Sequence, residues 1–236
     1  FSALSILFFF LFTINKESYL YYFFIGCLFS FGQLFVSLYW IANAFEFVFT
    51  NGIYIGLISI IFLTIALSVF CGFSFIAIRY IHNIWRLNIL GFAIIFSVFL
   101  SLGEYLRGSI LGGFPWNIMG YIWMDSLIMM QSLSLIGIYG LGLFTVLSAT
   151  SIILIFKKIS YGIYSLLPII LCALYGEIRL SLKIDDLDNL LPIRVVQPAI
   201  SQEEKWEKKL SHIHLEKLIS LSLKDNFEIK PKVILW

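Results

Sequence analysis

Six apolar stretches, separated by short polar segments, occupy the first 180 positions of the chain. A helix needs roughly 20 mostly apolar residues to cross the hydrocarbon core of a bilayer, which is about 30 Å thick. The stretches do not alternate between apolar and polar residues, as the strands of a membrane β-barrel would. The pattern therefore predicts about six helical membrane spans, at residues 1–14, 19–43, 52–78, 88–106, 127–156 and 161–180.

The basic residues between the spans predict their orientation, because cytoplasmic loops carry an excess of lysine and arginine. Near the ends of the first, third and fifth spans stand Lys16, then Arg79 and Arg86, then Lys157 and Lys158. After the second and fourth spans the only basic residue is Arg107. We therefore expect the odd-numbered spans to end in the cytoplasm, and the chain beyond residue 180 to lie on the opposite side.

The last quarter of the chain is polar and predicts a different kind of structure. Residues 183–192 include a cluster of aspartates and are expected to form a solvated linker. Ile193–Gln197 and Val233–Trp236 are strand-like, and a helix of roughly 25 residues is predicted between them, with Ser201 as its N-cap. A connection of this length allows the strands to pair in parallel, which predicts the opening unit of an α/β domain.

Composition agrees with a membrane location, since 60% of the 236 residues are hydrophobic. The net charge of +2 and the lack of a basic, aromatic patch give no indication of a nucleic-acid partner. Cys27, Cys71 and Cys172 lie in apolar runs and form no ligand spacing. We therefore predict neither a metal site nor a cofactor.

Two ionisable residues stand out near the end of the fourth span. Glu104 and Arg107 are three positions apart, so on a helix they share a face and could pair. An ionisable group at membrane depth is a candidate functional residue, although an ion pair near a helix end can also be purely structural. Both interpretations remain open from the residues alone.

A rigid turn follows this pair. Gly112 and Gly113 are expected to end the helix, and Pro115 prevents its continuation. Trp116 suits the interface between membrane and water. These residues predict an interfacial or re-entrant turn, which the predicted orientation places at the outer surface.

Four segments together resemble one protein family. They read, in chain order, FIGCLFSFGQLFVSLYW, GEYLRGSILGGFPWNIMGY, IGIYGLGLFTV and IRVVQPAISQEEKW. The chain resembles the apolipoprotein N-acyltransferases of the nitrilase, or carbon–nitrogen hydrolase, superfamily over essentially its whole length. It departs from the family at Gln197, Pro198 and Ala199, where Gln-Gly-Asn is usual.

The resemblance implies a multi-pass α-helical membrane domain at residues 1–182 and a linker at 183–192. Residues 193–236 would then be the start of an α/β domain, a nitrilase-like α-β-β-α sandwich. The family's N-terminal span and most of that domain would lie outside this chain. The implied location is the bacterial inner membrane, with the soluble domain on the periplasmic side.

The resemblance also implies a reaction. An acyl chain would leave a membrane phospholipid, form a thioester on an enzyme cysteine, and pass to the α-amino group of the diacylglyceryl-cysteine of an apolipoprotein. Two half-reactions through one nucleophile constitute a ping-pong transfer. The family's Glu-Lys-Cys triad is expected beyond Trp236, so the chain by itself is predicted to be inactive.

Residue by residue, the resemblance implies substrate or lipid contacts for Gly113, Trp116 and Trp206. It implies supporting roles for Glu104, Arg107 and Pro115. Two alternatives remain at this point: a polytopic membrane transporter, and a membrane-anchored nitrilase-like amidase.

Overall fold

The computed structural model describes residues 2–14, 18–182, 191–201, 204–224 and 230–236. The chain divides into two compact units, Phe1–Leu182 and Lys183–Trp236. The division falls where the apolar stretches give way to the polar tail. The predicted linker at 183–192 lies mostly outside the described residues.

The first unit is built from helices. Seven of them are α1 (Ser2–Thr13), α2 (Tyr19–Leu38), α3 (Gly52–Trp85), α4 (Ile89–Ser109), α5 (Leu127–Gln131), α6 (Leu133–Lys157) and α7 (Ile159–Ser181). Two 3₁₀ helices, Tyr39–Phe47 and Met119–Trp123, precede α3 and α5 respectively. Helices suit these apolar runs because a helix satisfies its backbone hydrogen bonds internally, as a bilayer requires.

Five helical segments of the described chain are long and apolar enough to cross a membrane. They are Tyr19–Phe47, Gly52–Trp85, Ile89–Ser109, Leu133–Lys157 and Ile159–Ser181. The first predicted span contains α1, an apolar helix of 12 residues that is shorter than a full crossing. The unit is therefore a multi-pass helical domain by length and composition, while six crossings stay a prediction.

The predicted span at 127–156 is not one continuous helix. A short helix, α5, precedes α6, and within α6 the backbone of Gly137 leaves the helical region at φ 63° and ψ 178°. Glycine adopts this conformation without a steric penalty, because it has no Cβ. The break was not predicted, since the residues around it are as apolar as the rest of the run.

Close helix packing in this unit depends on aromatic rings and small residues. Phe8 of α1 contacts Phe92 and Phe96 of α4, with ring centroids 5.8 and 5.7 Å apart. Between α2 and α3, a Cβ on Gly26 would come within 2.6 Å of the Cys71 carbonyl oxygen. Small residues allow helix backbones to approach in this way when the surrounding solvent is lipid.

The helices define two ends of the first unit. The short connection between α3 and α4, residues 86–88, lies at one end, together with the start of α2, where Asn83 donates to the Tyr19 hydroxyl (3.2 Å). The turn after α4 lies at the other end, beside the 3₁₀ helix Tyr39–Phe47. We call these the 86–88 end and the turn end.

The second unit contains two strands and a helix. Strands β1 (Ile193–Val195) and β2 (Val233–Leu235) are parallel, with Ile193 opposite Val233 and Val195 opposite Leu235. This confirms the predicted parallel pair. The helix α8 (Ser211–Ser222) lies between them in sequence.

The predicted helix of roughly 25 residues starting after Ser201 is wrong. The Ser201 hydroxyl accepts the Glu204 N–H at 3.4 Å, but only a turn follows, and Glu207 is extended at φ −73° and ψ 108°. A 3₁₀ turn, Lys208–Leu210, then leads into α8. Residues 204–209 are exposed, so no burial stabilises a helix there.

Candidate functional site

The turn that follows α4 has an unusual backbone. Leu111, Gly112 and Gly113 are consecutive residues with positive φ, at 57°, 87° and 75°. The Gly113 N–H donates to the Ile110 carbonyl (3.0 Å), and the Phe114 N–H donates to the Arg107 carbonyl (2.8 Å). These bonds reverse the chain and satisfy carbonyls at the end of the helix.

Gly113 is required by the space around it as well as by its conformation. A Cβ at this position would collide with the carbonyl oxygen of Gly108, in the last turn of α4. A Cβ at Gly112 would meet nothing within 4 Å. A side chain at position 113 would therefore point at the end of α4. The contact of Gly113 with lipid stays a prediction.

Arg107 holds the turn from inside. The residue is only 4% exposed, and its guanidinium donates through Nη1 to the carbonyl oxygens of Phe114 and Trp116, both at 2.9 Å. One buried cation therefore supplies donors to two backbone groups that the reversed chain leaves without helical partners. Charge-assisted hydrogen bonds of this kind are stronger than neutral ones.

Glu104 holds the residues just beyond the turn. Both of its carboxylate oxygens accept the Met119 N–H at 3.1 Å, at the start of the 3₁₀ helix Met119–Trp123, and the side chain is 8% exposed. The buried carboxylate therefore has a backbone donor as its partner.

The charged groups of Glu104 and Arg107, which the sequence spacing allowed to pair, do not come within 4.0 Å of each other. Among the described residues, the only contact within 4.0 Å between a basic and an acidic side chain is His212–Glu216, at 3.2 Å. Glu104 and Arg107 share a helix face, but their hydrogen bonds go to backbone groups of the turn and of the residue Met119 beyond it. The turn offers two carbonyls and one N–H, which match a guanidinium and a carboxylate respectively.

Trp116 is the middle ring of three stacked aromatic side chains. Its ring lies 5.8 Å from that of Trp40, at 19° between planes, and 5.7 Å from that of Phe114, at 27°. Trp116 and Trp40 remain about half exposed, at 45% and 50%. The stack forms an exposed aromatic surface at the turn end of the first unit.

Trp40 and Gln33 belong to this region and were not predicted. Gln33 lies in the C-terminal half of α2, and its amide nitrogen donates to the Asn117 carbonyl at 3.5 Å. A signal existed for Gln33, because an amide within an apolar span is a candidate functional residue. Trp40 gave no such signal, since its partner is 76 positions away in sequence.

Two cavities border the residues after the turn. The larger, of about 580 Å³, is lined mainly by apolar side chains such as Phe29, Ile118 and Ile122, with Gln33 among its few polar groups. The smaller, of about 320 Å³, is apolar apart from a few groups. Asn117 and Tyr121 line both. Such mostly apolar cavities with few polar groups are typical of sites for small apolar ligands.

Other predicted residues have simpler surroundings. Pro115 lies next to Gly108, since a Cβ added to Gly108 would come within 3.4 Å of the Pro115 Cβ. Trp206 belongs to the second unit, is 78% exposed, and has the Lys205 ammonium 5.8 Å from its ring. Its predicted lipid contact stays a prediction. The described residues contain no group of three His, Cys, Asp or Glu side chains able to hold a metal ion.

Comparison with known proteins identifies the family of this chain. Residues 1–151 match the model of the apolipoprotein N-acyltransferase N-terminal domain. The chain belongs to this family. The match includes the turn, both buried ionisable residues, and the described residues that line the two cavities.

Curated members of the family extend the likeness beyond residue 151. An apolipoprotein N-acyltransferase of Rickettsia prowazekii is 30% identical over 220 residues, which are 89% of this chain and 42% of that protein. Those of Rhodopseudomonas palustris and Brucella melitensis are 32% and 30% identical, over 84% and 90% of this chain. These alignments cover 37% and 40% of the two proteins. The chain thus spans about two fifths of the length of these relatives, and no solved structure matches it.

Proposed function

We propose that this chain is the membrane part of an enzyme that N-acylates apolipoproteins. An acyl chain from a membrane phospholipid is transferred to the α-amino group of the N-terminal diacylglyceryl-cysteine, which completes lipoprotein maturation. The observation that carries the proposal is the family match over residues 1–151. The protein then acts in the bacterial inner membrane, with residues 193–236 on the periplasmic side as the start of a nitrilase-like domain.

The chemistry of the transfer belongs to the nitrilase-like domain in this proposal. A cysteine takes the acyl chain as a thioester, a glutamate acts as base, and a lysine stabilises the charge of the tetrahedral intermediate. Parallel pairing of β1 with β2 is compatible with the beginning of such an α/β domain. The described cysteines lie on membrane helices and have no part in this scheme.

The membrane unit contributes a shaped entrance for the lipid. The cavity of about 580 Å³ falls within the range of roughly 300–1,000 Å³ that ligand pockets span. Its apolar lining suits an acyl chain, and the Gln33 amide suits an ester or headgroup oxygen. The aromatic surface of Trp116 and Trp40 suits the interfacial part of a lipid, as tryptophan does elsewhere in membranes.

Glu104 and Arg107 act in this scheme as positioning residues. Arg107 binds the carbonyls of Phe114 and Trp116, and Glu104 binds the N–H of Met119, a residue that lines the larger cavity. They keep residues 114–119 in one conformation. Gly113 and Pro115 allow the chain to reverse tightly enough for these bonds to form.

The proposal is tested by acyl transfer in membranes that contain the intact protein. A phospholipid with a labelled acyl chain serves as donor, a diacylated lipopeptide as acceptor, and the labelled peptide is measured over time. Trp116→Ala is expected to slow the transfer at limiting phospholipid. Trp85→Ala removes an equally large exposed ring at the 86–88 end of the unit and is the matched control. Equal rates for the two variants would remove Trp116 from the lipid site.

A further inference from the structure

A basic pocket lies at the 86–88 end of the first unit, away from the turn. It has a volume of about 570 Å³ and is lined by Phe12, Ile14, Arg79, His82, Asn83 and Arg86. None of these described lining residues is acidic, and three of them carry cationic or titratable nitrogen groups. The described lining therefore includes two guanidinium groups and can donate several hydrogen bonds.

The length of α3 places this pocket near the level of lipid headgroups. Its 34 residues give a helix of about 51 Å, at a rise of 1.5 Å per residue. The hydrocarbon core is only about 30 Å thick, so the helix extends beyond it. Tyr80 and Trp85 are exposed, at 53% and 65%, in the same last turns. Exposed tyrosine and tryptophan are typical of the membrane interface.

Contacts fix the Arg79 side chain and the backbone of Arg86 at the pocket. The Arg79 guanidinium lies over the Tyr22 ring, with Cζ 5.2 Å from its centroid, and the Tyr22 hydroxyl donates to the Ile14 carbonyl at 3.1 Å. Arg86 follows the last turn of α3 with φ 44°, and its N–H donates to the His82 carbonyl at 2.8 Å. The two arginines thus stand at one helix end, on a backbone that is fixed by hydrogen bonds.

His82 adds a nitrogen that needs a partner. Its ring packs edge-to-face against Phe92, with centroids 5.0 Å apart. Its Nδ1 atom is buried and has no hydrogen-bond partner among the described residues. Because this atom is buried, anion binding rests on the arginine side chains that line the pocket and not on His82. The partial negative charge of the helix C-terminus, about half an elementary charge, opposes anion binding but is outweighed by two guanidinium groups.

We propose that this pocket binds the phosphate group of an anionic phospholipid from the leaflet at the 86–88 end. Basic pockets between transmembrane helices are suited to anionic headgroups, and the guanidinium fork matches phosphate geometry. The bound lipid anchors the C-terminal end of α3 against α1 and α2. The inference does not depend on acyl transfer, because the pocket lies at the opposite end from the turn and its cavities.

The test measures phospholipid binding to the intact chain in detergent micelles by native mass spectrometry. Phosphatidylglycerol is titrated and compared with phosphatidylcholine, which has the same phosphate but no net charge. We expect Arg79→Gln/Arg86→Gln to weaken phosphatidylglycerol binding at least about tenfold, since charge-assisted hydrogen bonds to phosphate are lost.

The matched control is Lys157→Gln/Lys158→Gln, which removes two positive charges at the same end of the unit but outside the pocket. Both double variants lose two charges and the same general attraction to anionic lipid. The ratio of their affinities for phosphatidylglycerol therefore reports on the pocket alone. Equal losses in the two doubles would overturn the proposal. Arg86→Lys keeps the charge but loses the guanidinium fork, so it is expected to bind phosphatidylglycerol more weakly than the unchanged chain and more tightly than Arg86→Gln.

Inorganic phosphate distinguishes a lipid headgroup from a free anion. If excess phosphate leaves phosphatidylglycerol bound, the lipid is the ligand. Binding of inorganic phosphate alone, lost in Arg79→Gln/Arg86→Gln, would overturn the assignment to lipid and identify a free phosphate site. Unchanged tryptophan fluorescence without ligand verifies folding of the variants. If the double variant does not fold, the single Arg86→Gln at the exposed helix end replaces it in the same comparison.

Discussion

Alanine substitutions at the two adjacent glycines of the turn separate backbone conformation from close packing. Gly112 and Gly113 both have positive φ, at 87° and 75°, so alanine at either position adopts a left-handed conformation. That conformation costs about 1–2 kcal/mol for an L-residue. Alanine also lowers the entropy of the unfolded chain, which offsets about 0.4–1 kcal/mol. Gly112→Ala is therefore expected to destabilise by roughly 1 kcal/mol.

Gly113→Ala carries a further cost. Its Cβ would collide with the Gly108 carbonyl oxygen, which belongs to the backbone and cannot rotate away, whereas a Cβ on Gly112 meets nothing within 4 Å. Overpacking of this kind costs typically about 1–3 kcal/mol. We therefore expect Gly113→Ala to be less stable than Gly112→Ala by about 2 kcal/mol, or about 4–8 °C in Tm for a unit of this size.

The assay is thermal unfolding of both variants in the same detergent, followed by tryptophan fluorescence, together with the KM for phospholipid in acyl transfer. If Gly113 acts through packing, its variant loses stability relative to Gly112→Ala. Equal Tm values for the two variants would refute this reasoning. A raised KM for phospholipid in Gly113→Ala at equal Tm would instead support direct contact of Gly113 with lipid.

Three further substitutions test the contacts of the turn. Arg107→Met removes the donor to two carbonyls and is expected to lower the free energy of unfolding by about 2–4 kcal/mol and to speed amide hydrogen exchange of residues 110–117. The control Lys157→Met, at an exposed position, is expected to leave stability and exchange unchanged. Unchanged exchange in Arg107→Met would contradict its positioning role. Glu104→Gln keeps an oxygen that can accept the Met119 N–H, so it is expected to change Tm little. Glu104→Ala leaves that N–H without a partner and is expected to lower the free energy of unfolding by about 1–3 kcal/mol. Equal Tm values for the two variants would argue against the hydrogen bond to Met119. Trp40→Ala removes a stacking partner of Trp116 and is expected to raise the KM for phospholipid several-fold. The control Trp85→Ala should not raise this KM. Unaltered transfer in Trp40→Ala would exclude the aromatic stack from the lipid site.

The sequence predicted those features that depend on continuous local patterns. The spans at 52–78, 88–106 and 161–180 correspond to α3, α4 and α7 because long apolar runs in a bilayer must form helices. The two strands were also predicted, from short β-branched runs. The break at Gly137 was not predicted, since nothing in the local hydropathy marks it.

The contacts of the candidate site were harder to predict because they join distant positions. The spacing of Glu104 and Arg107 indicated a shared helix face but not the backbone groups that each would bind, which depend on the path of the turn. Trp116 was singled out by its motif, whereas its partner Trp40 carries no local signal. The helix predicted after Ser201 was wrong because a capping serine does not extend a helix whose following residues remain exposed.

The central claim is tested most directly by the mass of an acceptor peptide. Membranes with and without the intact protein are supplied with labelled phospholipid and a diacylated lipopeptide, either with a free N-terminal amine or with that amine acetylated. The account predicts that only the free amine gains one labelled acyl chain, and only when the protein is present. A free-amine peptide of unchanged mass, or equal labelling of the acetylated peptide, would contradict it.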